Sequence, residues 1–106
     1  MAQSLNAAMP QEADRLAPLR AAVQAFTALA DAKADEARFL AEGREILSAL
    51  IADDGWLEDD FRKTHPQFYQ QYLLYCDPLE RFSIQSFVWG PGQATPVHDH
   101  TVWGLV

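Results

Sequence analysis

Residues 81–100 read Arg81-Phe82-Ser83-Ile84-Gln85-Ser86-Phe87-Val88-Trp89-Gly90-Pro91-Gly92-Gln93-Ala94-Thr95-Pro96-Val97-His98-Asp99-His100. The first nine alternate, with Phe82, Ile84, Ser86 and Val88 on one face and Ser83, Gln85, Phe87 and Trp89 on the other, which predicts a strand. Gly90-Pro91-Gly92 breaks the run, and Pro96 restricts any strand before Val97. Residues 97–106 are strand-like again. On such a strand, residues two apart project to the same side, so His98 and His100 converge while Asp99 points away. Neutral imidazoles suit iron, zinc, copper and nickel. A His-x-His pair alone is a weak signal, because two imidazoles can equally be satisfied by hydrogen bonds inside a β-structure.

Upstream, residues 68–75 are dense in aromatics and read as a second strand of imperfect alternation, closed by the turn signal Asp77-Pro78. Further back the period changes. Leu16, Leu19, Val23, Phe26, Leu29 and Ala30 recur at steps of three and four, as on one face of a helix. After a break at residues 31–34, a second stripe follows at Ala37, Leu40, Ile46, Leu47, Leu50 and Ile51, ended near Asp53-Asp54-Gly55. Residues 1–10 are expected to fray. Charge divides the chain at the same place: residues 1–60 hold 12 acids and 5 bases, residues 61–106 hold 3 of each. Nine of the twelve aromatic rings lie in the second part. The fold class expected is therefore α+β, an acidic helical region over residues 1–60 followed by a strand-rich region over residues 61–106. The acidic helix faces are read as solvated.

The formal charge of −7 over 106 residues leaves no basic patch for phosphates, which argues against a nucleic-acid partner. No apolar run approaches the roughly 20 residues that cross a bilayer, so no membrane partner is expected either. The lone Cys76 has no internal disulfide partner, and the first ten residues lack a basic, then apolar, leader pattern. Both features point to a cytoplasmic location.

The strand, the Gly-Pro-Gly turn and the spacing from Gly92 to His98 and His100 resemble the first motif of the cupin superfamily, small β-barrels that hold a metal inside. More closely, Trp89-Gly90-Pro91-Gly92 leading into His98-Asp99-His100-Thr101 resembles the cysteine dioxygenase family of thiol dioxygenases. The likeness extends from about Phe68 to the last residue, and more loosely over the helices. It implies a cytosolic enzyme with mononuclear non-heme Fe(II) that adds both atoms of O2 to a small thiol, giving a sulfinic acid. His98 and His100 are then two of three iron-binding histidines. By the same resemblance the third histidine, and a Ser-His-Tyr hydrogen-bonding set, lie beyond Val106. The chain is thus expected to be the front of a longer domain, its barrel incomplete, and the 106 residues inactive by themselves. An apolar last strand with an unpaired edge gives the same expectation.

Departures from the pattern narrow the resemblance. The Glu that general cupins place four or five residues after the second histidine is replaced by Gly104 or Leu105, which suits a three-histidine site better than a two-histidine, one-carboxylate site. Gly104 cannot supply the thioether cysteine of animal cysteine dioxygenases, so the chain is similar to the bacterial branch. Zinc hydrolases with His-x-His-x-Asp-His fare worse, since Val102 and Trp103 stand at the Asp and second His. Gln71 falls where cysteine-specific members carry a carboxylate-gripping arginine. A neutral amide lacks that charged fork, which resembles the bacterial 3-mercaptopropionate dioxygenases. Gln71 is otherwise simply a surface strand residue. Of the remaining candidates, Cys76 reads as a turn-adjacent thiol, His65 as a loop residue, Asp99 as an orienting neighbour of the metal ligands, and Trp89 and Trp103 as barrel core. Two other classes compete: a different metal-dependent cupin such as an isomerase or zinc enzyme, and a non-catalytic cupin-like binding module.

Overall fold

A computed structural model describes residues 15–106. The described residues are α+β, with two helices, a short 3-10 helix and a two-stranded antiparallel sheet. It divides into two compact units, Met1–Leu57 and Glu58–Val106. The fraying expected for residues 1–10 lies outside the described residues. Among the described residues no helix is long and apolar enough to cross a membrane.

In the first unit, helix α1 spans Ala17–Asp31 and helix α2 spans Glu36–Ile51. Pro18 sits in the first turn of α1, where its missing N–H leaves no helical bond unmade. The helix ends in a Schellman motif: Lys33 N–H donates to Ala30 O at 3.0 Å and Ala34 N–H to Leu29 O at 3.1 Å. Asp35 then caps α2, its carboxylate accepting from Arg38 N–H at 2.8 Å. The buried side of α1 is Ala22, Phe26 and Leu29, close to the expected stripe. That of α2 is rotated: Phe39, Gly43 and Leu50 are buried, whereas Ala37 and Ile51 of the expected stripe are exposed. The cause is the stack of Phe39 on Phe26, with ring centroids 5.7 Å apart, which turns α2 so that its aromatic meets α1. Each large apolar side chain buried here is worth about 1.5–3 kcal/mol. Trp56 folds back onto α2 and donates its indole N–H to Leu50 O at 3.1 Å, satisfying a carbonyl of the last turn.

In the second unit, strands β1 (Gln70–Cys76) and β2 (Ser83–Val88) pair antiparallel, Gln70 opposite Val88 and Cys76 opposite Ser83. The alternation expected for β2 is present as drawn. In β1 the imperfect alternation has a cause: the register shifts between Leu73 and Tyr75, a bulge that turns both Leu74 and Tyr75 toward the covered side. The 3-10 helix Asp59–Arg62 covers that side. Phe61 packs on Tyr72 at 5.5 Å, the Tyr72 hydroxyl donates to Lys63 O at 3.2 Å, and the Ser86 hydroxyl donates to Phe61 O at 3.4 Å. The strand expected over residues 97–106 does not form: among the described residues no neighbouring strand meets its N–H and C=O groups, and Val97 and Val106 are fully exposed.

The hairpin turn is built on Asp77. Its carbonyl accepts from Glu80 N–H at 2.9 Å, and its N–H donates to Phe82 O at 3.0 Å. The buried carboxylate accepts from Arg81 N–H, Nε and Nη2 at 3.1, 2.7 and 3.2 Å. These bonds, above all the Arg81 side chain, hold the Asp77 carboxyl below its ordinary value of 3.8. On the surface nearby, Lys63 likewise lowers Asp60 through a 2.8 Å contact and is itself raised.

Two outcomes follow from these contacts. Lys33 adopts φ +53°, a left-handed conformation at the helix terminus that suits glycine, so Lys33→Gly should raise stability by about 0.5–1 kcal/mol in chemical denaturation. A drop in stability would contradict the terminal geometry. For Asp77, a depressed folded pKa means the contribution is present above pH 3.8 and is lost as pH falls through the folded value. The melting temperature of wild type should therefore fall more between pH 5 and pH 2.5 than that of Asp77→Asn, the pH range set by this direction of shift. Parallel curves would show that Arg81 does not hold the carboxylate.

Candidate metal centre

The histidine-bearing segment leaves β2 through residues 90–93. Gln93 N–H donates to Gly90 O at 3.1 Å. With Pro91 second and Gly92 third, at φ +74°, this is the arrangement of a type II turn, and the third place needs glycine. The turn directs residues 94–100 away from the hairpin ladder as irregular chain.

Along that chain His98 Nδ1 lies 2.7 Å from Pro96 O. A carbonyl oxygen only accepts, so Nδ1 carries the proton and the lone pair of the neutral ring is on Nε2. This nitrogen faces His100 Nε2 at 3.2 Å, with the ring centroids 4.8 Å apart. The convergence expected from a strand is thus reached without one, because the bond to Pro96 orients His98. Two imidazole nitrogens 3.2 Å apart, each about 2.1 Å from one ion, subtend roughly 100° there, between octahedral and tetrahedral values. The same 3.2 Å is hydrogen-bond distance, with His100 Nε2 donating to His98 Nε2 when His98 holds its proton on Nδ1, so the two nitrogens would share one divalent ion only on giving up that contact. Among the described residues, no group of three or more His, Cys, Asp or Glu side chains is gathered to hold an ion. Both histidines and Asp99 are exposed.

Beside His98 opens a cleft of about 420 Å³, walled on one side by Gln67, Phe68 and Tyr69 and on the other by Gln93, Thr95 and His98. His65 shapes the first wall. Its Nδ1 accepts from the N–H groups of Gln67 and Phe68 at 3.0 and 3.2 Å, and its ring stacks on Phe68. Tyr69 stacks on Trp89 at 4.6 Å and on Phe87 at 6.3 Å.

Gln71 stands opposite Phe87 on β1, on the side of the hairpin that carries Tyr69, and its amide donates to Gln85 Oε1. It does not line the cleft. Cys76 is exposed at the end of β1. Trp89 and Trp103, expected in a core, are both about half exposed (47% and 48%), since the described residues bring no second layer over them. Sequence reasoning missed Gln93 and the structural work of His65. No local signal marks Gln93, because its bond to His65 O spans 28 residues. No family model matches the chain.

Proposed function

We propose that the chain belongs to an iron-dependent thiol dioxygenase of cupin type, oxidising a small thiol carboxylate, 3-mercaptopropionate or L-cysteine, to its sulfinic acid. The observation that carries this reading is the convergence of His98 and His100 Nε2 beside a cleft with an aromatic wall. The sequence resemblance supplies the choice of iron and of a thiol. In this reading the β1–β2 hairpin is part of a barrel, and the remaining metal ligand comes from outside the pair. The overall change balances without an external reductant: both atoms of O2 pass to sulfur, which is oxidised by the four electrons that O2 takes up.

Fe(II), held in part by His98 and His100, would supply the redox and Lewis-acid chemistry that activates the thiol and O2. The chain's own residues have other tasks. Pro96 O fixes the tautomer and orientation of His98 and puts its lone pair on Nε2, the nitrogen that meets His100 Nε2. Phe68 and Tyr69 give the cleft an aromatic wall, and the Thr95 hydroxyl and Gln67 amide offer hydrogen bonds to a polar substrate end. Gln71 does not line the cleft, so it would offer its neutral amide only to a substrate carboxylate that reaches past Tyr69, and only on exchanging its bond to Gln85. Neutrality forgoes the charge-assisted fork of an arginine, so discrimination falls to the fit of the remaining substrate groups.

His98→Ala and His100→Ala should each abolish iron binding and thiol-dependent O2 uptake, measured in the whole protein. Normal iron content in either variant would remove the metal assignment. The kcat/KM for 3-mercaptopropionate should exceed that for L-cysteine, and Gln71→Arg should narrow or reverse the ratio by about tenfold or more, as a charge-assisted bond of about 1.5–3 kcal/mol allows. Strong preference for L-cysteine in the wild type would remove Gln71 from the reading and leave the dioxygenase assignment in place.

A further inference from the structure

We infer that Gln93 is a positioning residue that sets the histidine pair against the facing wall of the cleft, an assignment that rests on the metal-binding reading above. Its side-chain amide is bonded at both ends. Oε1 accepts from Gly90 N–H at 2.6 Å, and Nε2 donates to the His65 carbonyl at 2.5 Å. The site around the amide is built for it. Gly90 is buried, and a Cβ there would meet Cδ, Nε2 and Oε1 of Gln93 at 3.0–3.1 Å, closer than carbon atoms normally approach.

The consequence lies in what the two ends join. The turn of residues 90–93 fixes only its own backbone. The bond to His65 spans 28 residues and ties the segment bearing His98 to the loop whose Phe68 and Tyr69 form the opposite wall. His65 is a firm anchor because two backbone N–H groups and the Phe68 ring already hold it. Only an amide meets both demands, accepting at Gly90 while donating to His65. A glutamate of the same length keeps the acceptor and turns a second acceptor toward the His65 carbonyl, so the long-range tie is lost. Asparagine falls a methylene short. Either change leaves the histidines intact and removes the constraint on where they sit, as groups that orient metal ligands do.

Cobalt(II) titration of the whole chain tests this, read by affinity and by the visible ligand-field absorption of the bound ion. Gln93→Glu and Gln93→Asn should bind about 10- to 100-fold more weakly, with altered band positions and intensities. The control is Ser86→Ala, which removes another side-chain bond to the backbone in the same unit, that to Phe61 O. It should lower the melting temperature while preserving affinity and spectrum. Unchanged affinity and spectrum in both Gln93 variants would overturn the inference and leave the metal site standing. An equal loss in Ser86→Ala would also overturn it, since the effect would then be general destabilisation. Equal Co(II) binding by wild type and His98→Ala would instead remove the metal site itself, and the role of Gln93 with it.

Discussion

The antiparallel register that sets Gln70 opposite Val88 is the constraint on which the second unit depends. It is fixed at the far end by Asp77, whose buried carboxylate gathers three donors of Arg81 and whose backbone closes the turn in both directions. With that end pinned, the bulge at Leu74 rotates the strand by one residue, so that Tyr72, Leu74 and Tyr75 all share the covered side with Ile84, Ser86 and Val88. At the near end the same register brings Tyr69 against Trp89 and delivers the chain to Gly90 at the point where it can turn back toward His65. The histidine pair hangs from this frame through one turn and one amide.

Much of this was legible in residue order. The strand at β2, the two helices and the breaks between elements follow from periodicity and from Pro, Gly and Asp at their ends. Where the reading failed, a tertiary contact decided. The face of α2 depends on Phe39 finding Phe26, and a stripe drawn from Ala37 to Ile51 misses it because periodicity fixes the repeat of a helix and not its rotation. The irregular alternation of β1 needs a bulge, visible only once a partner strand supplies the register. Residues 97–106 have the composition of a strand, and a strand exists only where a neighbour meets its backbone.

The site was legible in a different way. His98 and His100 were found from their spacing, yet the strand geometry first used to bring them together is absent. Pro96 supplies the orientation instead, through a bond two residues back. Gln71 is placed beside Tyr69 on the open side of the hairpin, a position that its residue type alone did not reveal. Gln93 was invisible because its role lies in a contact with a residue 28 positions earlier. Local signals thus single out the two histidines, while the spacing between the walls is a property of the folded chain.

Iron K-edge X-ray absorption on the iron-loaded protein tests the central claim, that His98 and His100 converge on one ion. The account predicts an inner shell containing imidazole nitrogen at about 2.1 Å with the outer-shell scattering of at least two imidazole rings, and no iron retained when both histidines are replaced by alanine. An inner shell without ring scattering in the wild type, or full iron content in the double variant, would contradict it.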